Sequence, residues 1–276
     1  MSVVTQESRD TGLEVIDILT DPQYASRKPS TRDVSLQMLG LERLARAFVE
    51  KPETILQELV NAAVELCGAD SAGISIEREN RTDEHFYHWV ATAGLYSGFL
   101  DATLPRYPSA CGICLERGRP QLFRVSQRFF EILGVEAPLV TDGILLPWQV
   151  DGTRGTIFVM AHGCSEVFDH GDIRTMQMLA DFAAAGFRQQ RQTKKLIDQE
   201  RAAAAAAMAN ELAHKINNPL QSITNVLYLA AETEENTDVQ ALAADLQADI
   251  RRLSELVKEI LALPLASSSS ESGPRS

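Results

Sequence analysis

His214 stands in the run Glu211-Leu212-Ala213-His214-Lys215-Ile216-Asn217-Asn218-Pro219-Leu220. On a helix, His214 and Asn218 are i and i+4 neighbours on one face, and Pro219 removes one intrahelical hydrogen bond and bends the helix just past the histidine. A neutral imidazole titrates near physiological pH and is a nucleophile toward phosphorus, and a carboxamide one turn away can position the attacking or hydrolytic water. An isolated helical histidine is otherwise a solvated surface residue. A second set is Cys111-Gly112-Ile113-Cys114, a thiol pair with the spacing that can bridge or supply half of a zinc site. No second such pair accompanies it, and His162 with Cys164 is a loose completion of four ligands. Buried structural thiols are therefore the favoured reading, no metal is expected, and a redox role for Cys111 and Cys114 stays open. His85 and His88 flank an aromatic strand with Tyr87 and Trp89, where a solvated or hydrogen-bonded structural role is expected.

The elements that position these residues belong to a chain of 276 residues, 45% hydrophobic and 23% charged. That suffices for two modest domains, or for one domain with a long helical appendage. A formal net charge of -12 opposes attraction to a nucleic-acid backbone, so no nucleic-acid partner is expected. No run of about 18 apolar residues occurs, and the first residues lack a basic region followed by an apolar stretch. A cytoplasmic protein without membrane contact is expected, and four cysteines in apolar or turn contexts suit a reducing compartment.

Residues 1–33 mix Ser, Thr, Asp, Pro and Arg and read as a disordered leader, with room for one short helix, that adds little to the core. Apolar residues at three- and four-residue steps predict a helix over Leu36–Phe48, and Pro52-Glu53-Thr54 opens a second over Ile55–Cys67 that ends at Gly68. Strands are predicted over Ser71–Ile76 and Phe86–Ala93 as a hairpin, over Gln121–Val125, and over Ile144–Val150 and Thr156–Ala161 about the turn Asp151-Gly152-Thr153. Between the hairpins, Gly94–Asp142 reads as a long irregular stretch broken by the Gln121–Val125 strand. Asp169 caps the next helix, which carries Ile173, Met176, Leu179, Ala180 and Ala183 on its apolar face. Neither Gly nor Pro follows Phe187 until Pro219, so a continuous helix should connect to the His214 region, with an alanine run at 202–207 allowing close approach of a partner helix. Residues 233–238 interrupt the pattern. Leu242, Leu246, Ile250, Leu253, Leu256, Ile260 and Leu263 then form a near-heptad stripe that predicts a hairpin needing a second chain to cover it. The Ser-rich residues 266–276 read as a disordered tail.

The His214 stretch resembles the H-box of sensor histidine kinases, His-Glu-(Ile or Leu)-(Asn or Arg)-Asn-Pro-Leu, in the first helix of their dimerisation and phosphoacceptor module. The resemblance implies that His214 is the phosphoacceptor and that Asn218 takes the position associated with dephosphorylating a response regulator. The family carries an acidic residue after the histidine as hydrogen-bond partner and base, whereas this chain has Lys215, which cannot accept the ring proton. Glu211 pairs with Lys215 at i,i+4 and is the substitute base the sequence offers. The ATP-binding domain would follow at about residue 270. It is not in this sequence, no Gly-rich phosphate loop occurs elsewhere, and ATP is expected to act only through a separate kinase.

Upstream, about residues 40–190 resemble a GAF domain, particularly those preceding bacterial histidine kinases. The resemblance rests on Pro108-Ser109-Ala110-Cys111-Gly112, Arg117–Phe123, Leu145-Leu146-Pro147-Trp148, Gly155–Val159 and Phe168-Asp169. It implies an antiparallel sheet with helices on one face and, on the other, a small-molecule pocket under residues 94–142, without naming a ligand. No cysteine stands in a bilin-attachment context.

The expected architecture is α+β: a GAF-like sensor at 34–190, then a connecting helix and phosphoacceptor hairpin at 191–265 that forms a four-helix bundle in a homodimer. The expected function is two-component signalling, with His214 exchanging phosphate with a separate histidine kinase or a response-regulator receiver domain. Two other readings stay open. One is a scaffold that dimerises with a complete kinase without carrying phosphate, and the other is a thiol-dependent reductase using Cys111 and Cys114.

Overall fold

The computed structural model describes residues 11–30, 34–78, 82–233 and 237–262. The chain divides into two compact units, residues 1–191 and 192–276.

The first unit is built on an antiparallel sheet of seven strands in the order β1 (Leu13–Asp17), β5 (Gln121–Val125), β6 (Val140–Val150), β7 (Thr153–Ala161), β2 (Ser71–Glu77), β3 (Tyr87–Gly94) and β4 (Thr103–Leu104). Its central strands are buried on both faces, which is why they read as near-continuous apolar runs. Alternate residues serve different layers. Ile144, Leu146, Ile157 and Val159 belong to one apolar cluster, and Leu145, Phe158 and Met160 to another. The predicted β6–β7 hairpin forms as the turn residues require: Asp151 and Gly152 both take positive φ, 47° and 80°, as a two-residue turn between twisted strands demands.

The first cluster is covered by helices. α3 (Ile55–Cys67) lies against β2, β3 and β7, and α2 (Val34–Glu50) lies on α3. The apolar steps of α3 place Ile55, Leu59, Val60, Ala63 and Leu66 inward, and Gly68, at φ 58°, closes it. α6 (His170–Thr233) is the longest helix, and the boundary between the two units falls inside it. Its first turns contribute Met176, Leu179, Ala180 and Ala183 to the same core. Asp169 caps it as predicted, its Oδ1 accepting the amides of Gly171 and Asp172.

Two expectations are corrected. Residues 11–30 are not a leader without core contacts. β1 pairs with β5 through Leu13–Asp17, the short helix α1 (Pro22–Ala25) carries the fully buried Tyr24, and Arg27 reaches the buried Asp142. The composition hid this because the segment buries only a few isolated side chains. The expected irregular stretch also contains two helices, α4 (Ala110–Arg117) and α5 (Gln127–Leu133). Each is shorter than the periodic window that reveals an amphipathic helix, and each ends on a left-handed glycine, Gly118 or Gly134. Residues 1–10 of the expected leader, and the expected tail, lie outside the described residues.

The second unit consists of the remainder of α6 and α7 (Thr237–Ala262). Within it Ala213 and Ile250 are buried, whereas Leu212, Ile216, Leu246, Leu253 and Leu256 are exposed. Pro219 lies inside α6, and the hydroxyls of Ser222 and Thr224 donate to the carbonyls of Asn218 and Leu220 beside it. Among the described residues no helix is long and apolar enough to cross a membrane.

The Arg27–Asp142 pair yields the first prediction. Arg27→Ala strands a buried carboxylate and should lower the stability of this unit by about 3–5 kcal/mol, read as the urea midpoint by circular dichroism. A loss under about 1 kcal/mol, the size of an exposed pair, would contradict the account. The second prediction concerns acid. Burial raises the Asp169 carboxyl, but hydrogen bonds from the Ser30 amide and hydroxyl and from the Gly171 and Asp172 amides outweigh it and hold the group below the usual carboxylate range. A depressed folded pKa contributes stability above the unfolded value, near 4, and loses it as pH falls through the folded value. Asp169→Asn keeps a capping oxygen, so its deficit against wild type in thermal melts should be largest near neutral pH and shrink below about pH 4. A pH-independent deficit would sink this reading.

Candidate functional site

The second apolar cluster of the first unit surrounds a cavity of about 520 Å³. Its floor is the sheet face carrying Trp89, Phe123, Leu145, Phe158 and Met160. Glycines opposite the rings make this floor possible. Phe123 faces Gly143 across β5 and β6, and Phe158 faces Gly73 across β7 and β2. A Cβ on either glycine would come within 2.6 Å of the opposing ring, so each ring lies over bare backbone. The cover comes from two connections, the one that follows β3, with Tyr96 and Phe99, and the one between β5 and β6 that carries α5, with Phe130 and Leu133.

Polar contacts tie the two parts of the cover to each other and to the sheet. The Tyr96 hydroxyl donates to the Pro138 carbonyl at 2.7 Å, and burial pushes the phenol pKa up. The His162 ring stacks on Tyr96 at 4.9 Å, while its nitrogens meet Ser71 Oγ at 2.8 Å and the Leu139 carbonyl at 2.7 Å. Glu84, His85 and Tyr107, all exposed, line the cavity where it reaches the surface.

Cys111 lines the cavity and Cys114 lies one turn later on α4. Cys111 Sγ accepts from Ser75 Oγ at 3.4 Å and Thr156 Oγ1 at 3.3 Å, and Cys114 Sγ donates to the carbonyls of Arg119 and Leu145. Burial pushes both thiols up, so both stay protonated and are weak nucleophiles near neutral pH. Among the described residues no three His, Cys, Asp or Glu side chains converge as a metal site. His88 bridges Arg78 and Asp101 at 2.7 and 3.0 Å, and His85 meets Thr103 Oγ1 at 2.7 Å, which are structural hydrogen bonds.

The other candidate residues lie in the second unit, each on α6. His214 and Asn218 are exposed one turn apart, and Lys215 Nζ contacts Glu211 Oε1 at 2.6 Å. Both partners of that pair are more than half exposed. Such a pair is worth only about 0.2–0.5 kcal/mol, so Glu211 is free to leave Lys215 for His214, its i+3 neighbour.

The cavity's aromatic lining was missed in the sequence reading, although the density of Phe, Tyr and Trp between residues 86 and 130 was the available signal. His162, weighed there as a metal ligand, instead joins the cover to the sheet.

Similar solved structures include the GAF domain of an Acinetobacter phosphoenolpyruvate-protein phosphotransferase, at 14% identity over 56% of this chain and 94% of that one, with a TM-score of 0.45. The GAF domain of a putative sensor histidine kinase from Pseudomonas syringae pv. tomato matches at 18% identity over 60% and 94%, with a TM-score of 0.40. The free methionine-R-sulfoxide reductase of Neisseria meningitidis matches at 16% identity over 61% and 98%, with a TM-score of 0.46. No curated protein matches the chain, and no model of a histidine phosphoacceptor domain does. The model of the GAF domain matches residues 51–187, which span α3 through the first turns of α6 and hold most of the cavity's lining. The chain therefore carries a GAF domain at residues 51–187.

Proposed function

We propose that this protein is a two-component signalling component in which a small molecule in the GAF cavity controls a histidine phosphoacceptor, His214, that exchanges phosphate with a separate histidine kinase or a receiver domain. The observation that carries the reading is local. His214 is exposed, Asn218 follows one turn later, and Glu211 is only weakly paired with Lys215, the lysine that stands where the kinase family has its acid. In the transfer, an imidazole nitrogen bonds to phosphorus as the donor P–O bond breaks, and the ring proton must leave. Glu211 takes that proton or stabilises the imidazolium, Asn218 orients the water that hydrolyses the phosphorylated receiver and releases inorganic phosphate, and ATP enters only through the separate kinase.

The exposed stripe of Leu212 and Ile216 on α6 and of Leu246, Leu253 and Leu256 on α7 supports a four-helix bundle in a homodimer, since these side chains recur at heptad-like spacing. The same stripe fits pairing with a complete kinase, the scaffold reading. The reductase reading is weaker, because both thiols are buried and protonated. In the sensor reading, cavity occupancy changes the packing at the root of α6, and the helix passes the change toward His214.

The purified chain, incubated with labelled ATP and a panel of kinases or with phosphorylated receiver domains, should acquire acid-labile phosphate only when a partner is present. His214→Gln should abolish the label and leave the oligomeric state unchanged. Absence of label with every donor, or an unaltered signalling output in His214→Gln cells, would overturn phosphoacceptance in favour of the scaffold. Lys215→Glu restores the acid beside the histidine and should accelerate transfer by about tenfold or more, a fraction of what a well-placed base contributes. An unchanged or slower rate would remove the base argument.

A further inference from the structure

The chemistry of the cavity wall narrows what the GAF domain can hold. Among the described lining residues there is no Lys or Arg, and Glu84, the sole acidic one, is exposed at the surface end together with His85. A phosphate or carboxylate drawn inside would meet no cation, and the desolvation of an unpaired ion costs several kcal/mol. The buried part of a ligand is therefore uncharged.

Its shape follows from the rings. Trp89 stacks with Tyr96 at 6.0 Å and an interplanar angle of 23°, and packs against Phe158 at 5.0 Å. These aromatic surfaces favour a planar guest, and about 520 Å³ is within the range that encloses a drug-sized molecule.

We propose that the cavity binds an uncharged, planar aromatic molecule that packs among the rings of Trp89, Tyr96 and Phe158. The effect of this ligand on His214 rests on the sensor reading above, and its binding does not.

The test titrates the full chain with Prodan, an uncharged naphthyl ketone whose emission moves to the blue in apolar surroundings. Wild type should bind one Prodan per chain, saturably and with blue-shifted emission, and cyclic GMP, an anionic purine compound, should not displace it. Trp89→Leu, which removes one ring the guest lies against, should weaken binding about two- to tenfold, the range of one aromatic pair. Leu133→Trp, which fills the cavity, should abolish binding. Should circular dichroism show that either variant does not fold, the other and the cyclic GMP competition still decide. Absence of saturable binding, displacement by cyclic GMP, or equal affinity in Trp89→Leu would overturn the proposal. Saturable Prodan binding that leaves phosphate uptake at His214 unchanged would count against the sensor reading and leave the ligand class standing. A response at His214 to cyclic GMP with none to Prodan would do the reverse.

Discussion

The carboxylate of Asp142 is buried at the start of β6 and is satisfied from two directions. Arg27 donates to both oxygens at 2.8 and 2.9 Å, and the amides of Val167 and Phe168 donate to Oδ2 at 2.8 and 3.2 Å. Arg27 also donates to the Phe168 carbonyl at 2.7 Å. A buried charge is tolerated only when its lone pairs are filled in this way, because an unpaired one costs several kcal/mol. The interaction therefore fixes three pieces of chain at once: the N-terminal segment, a central strand, and the residues that lead into α6.

That constraint bears on function because the N-terminal segment touches both ends of the GAF device. Leu13 of β1 lines the cavity, and Ser30, after Arg27, donates its amide and hydroxyl to Asp169, the cap of α6. Anything that moves the cavity wall near Leu13 pulls on a segment anchored at the root of α6. That root is otherwise well packed, with Phe182 against Phe48, Phe187 against Trp148, and Gln190 donating to the Glu53 carbonyl. Small changes at a packed element of this kind resolve into discrete alternatives more readily than into gradual bending.

Much of this was legible in the residues. The helix Ile55–Cys67 with its terminal glycine, the Gln121–Val125 strand, the Asp151-Gly152 turn and the Asp169 cap follow from local rules, and the structure has each of them. The Arg27–Asp142 pair was not legible, since its partners lie far apart in sequence and nothing local marks a surface-type arginine as buried. α4 and α5 escaped for a different reason, being too short for periodicity to register. The cavity is a collective property of rings on three strands, β3, β5 and β7, and their cover, with two glycines opposite them, and no single motif encodes it. The placement of His214 and Asn218 one turn apart on an exposed stretch of helix was legible, because helical spacing is a local property.

The central claim is that the GAF cavity and His214 are coupled through α6. Amide hydrogen exchange along the full chain, with and without saturating Prodan, tests it most directly. The account predicts altered protection in three places: residues 11–30, the first turns of α6, and the turns around His214. Changes confined to the cavity wall, with α6 exchanging identically in both states, would contradict it.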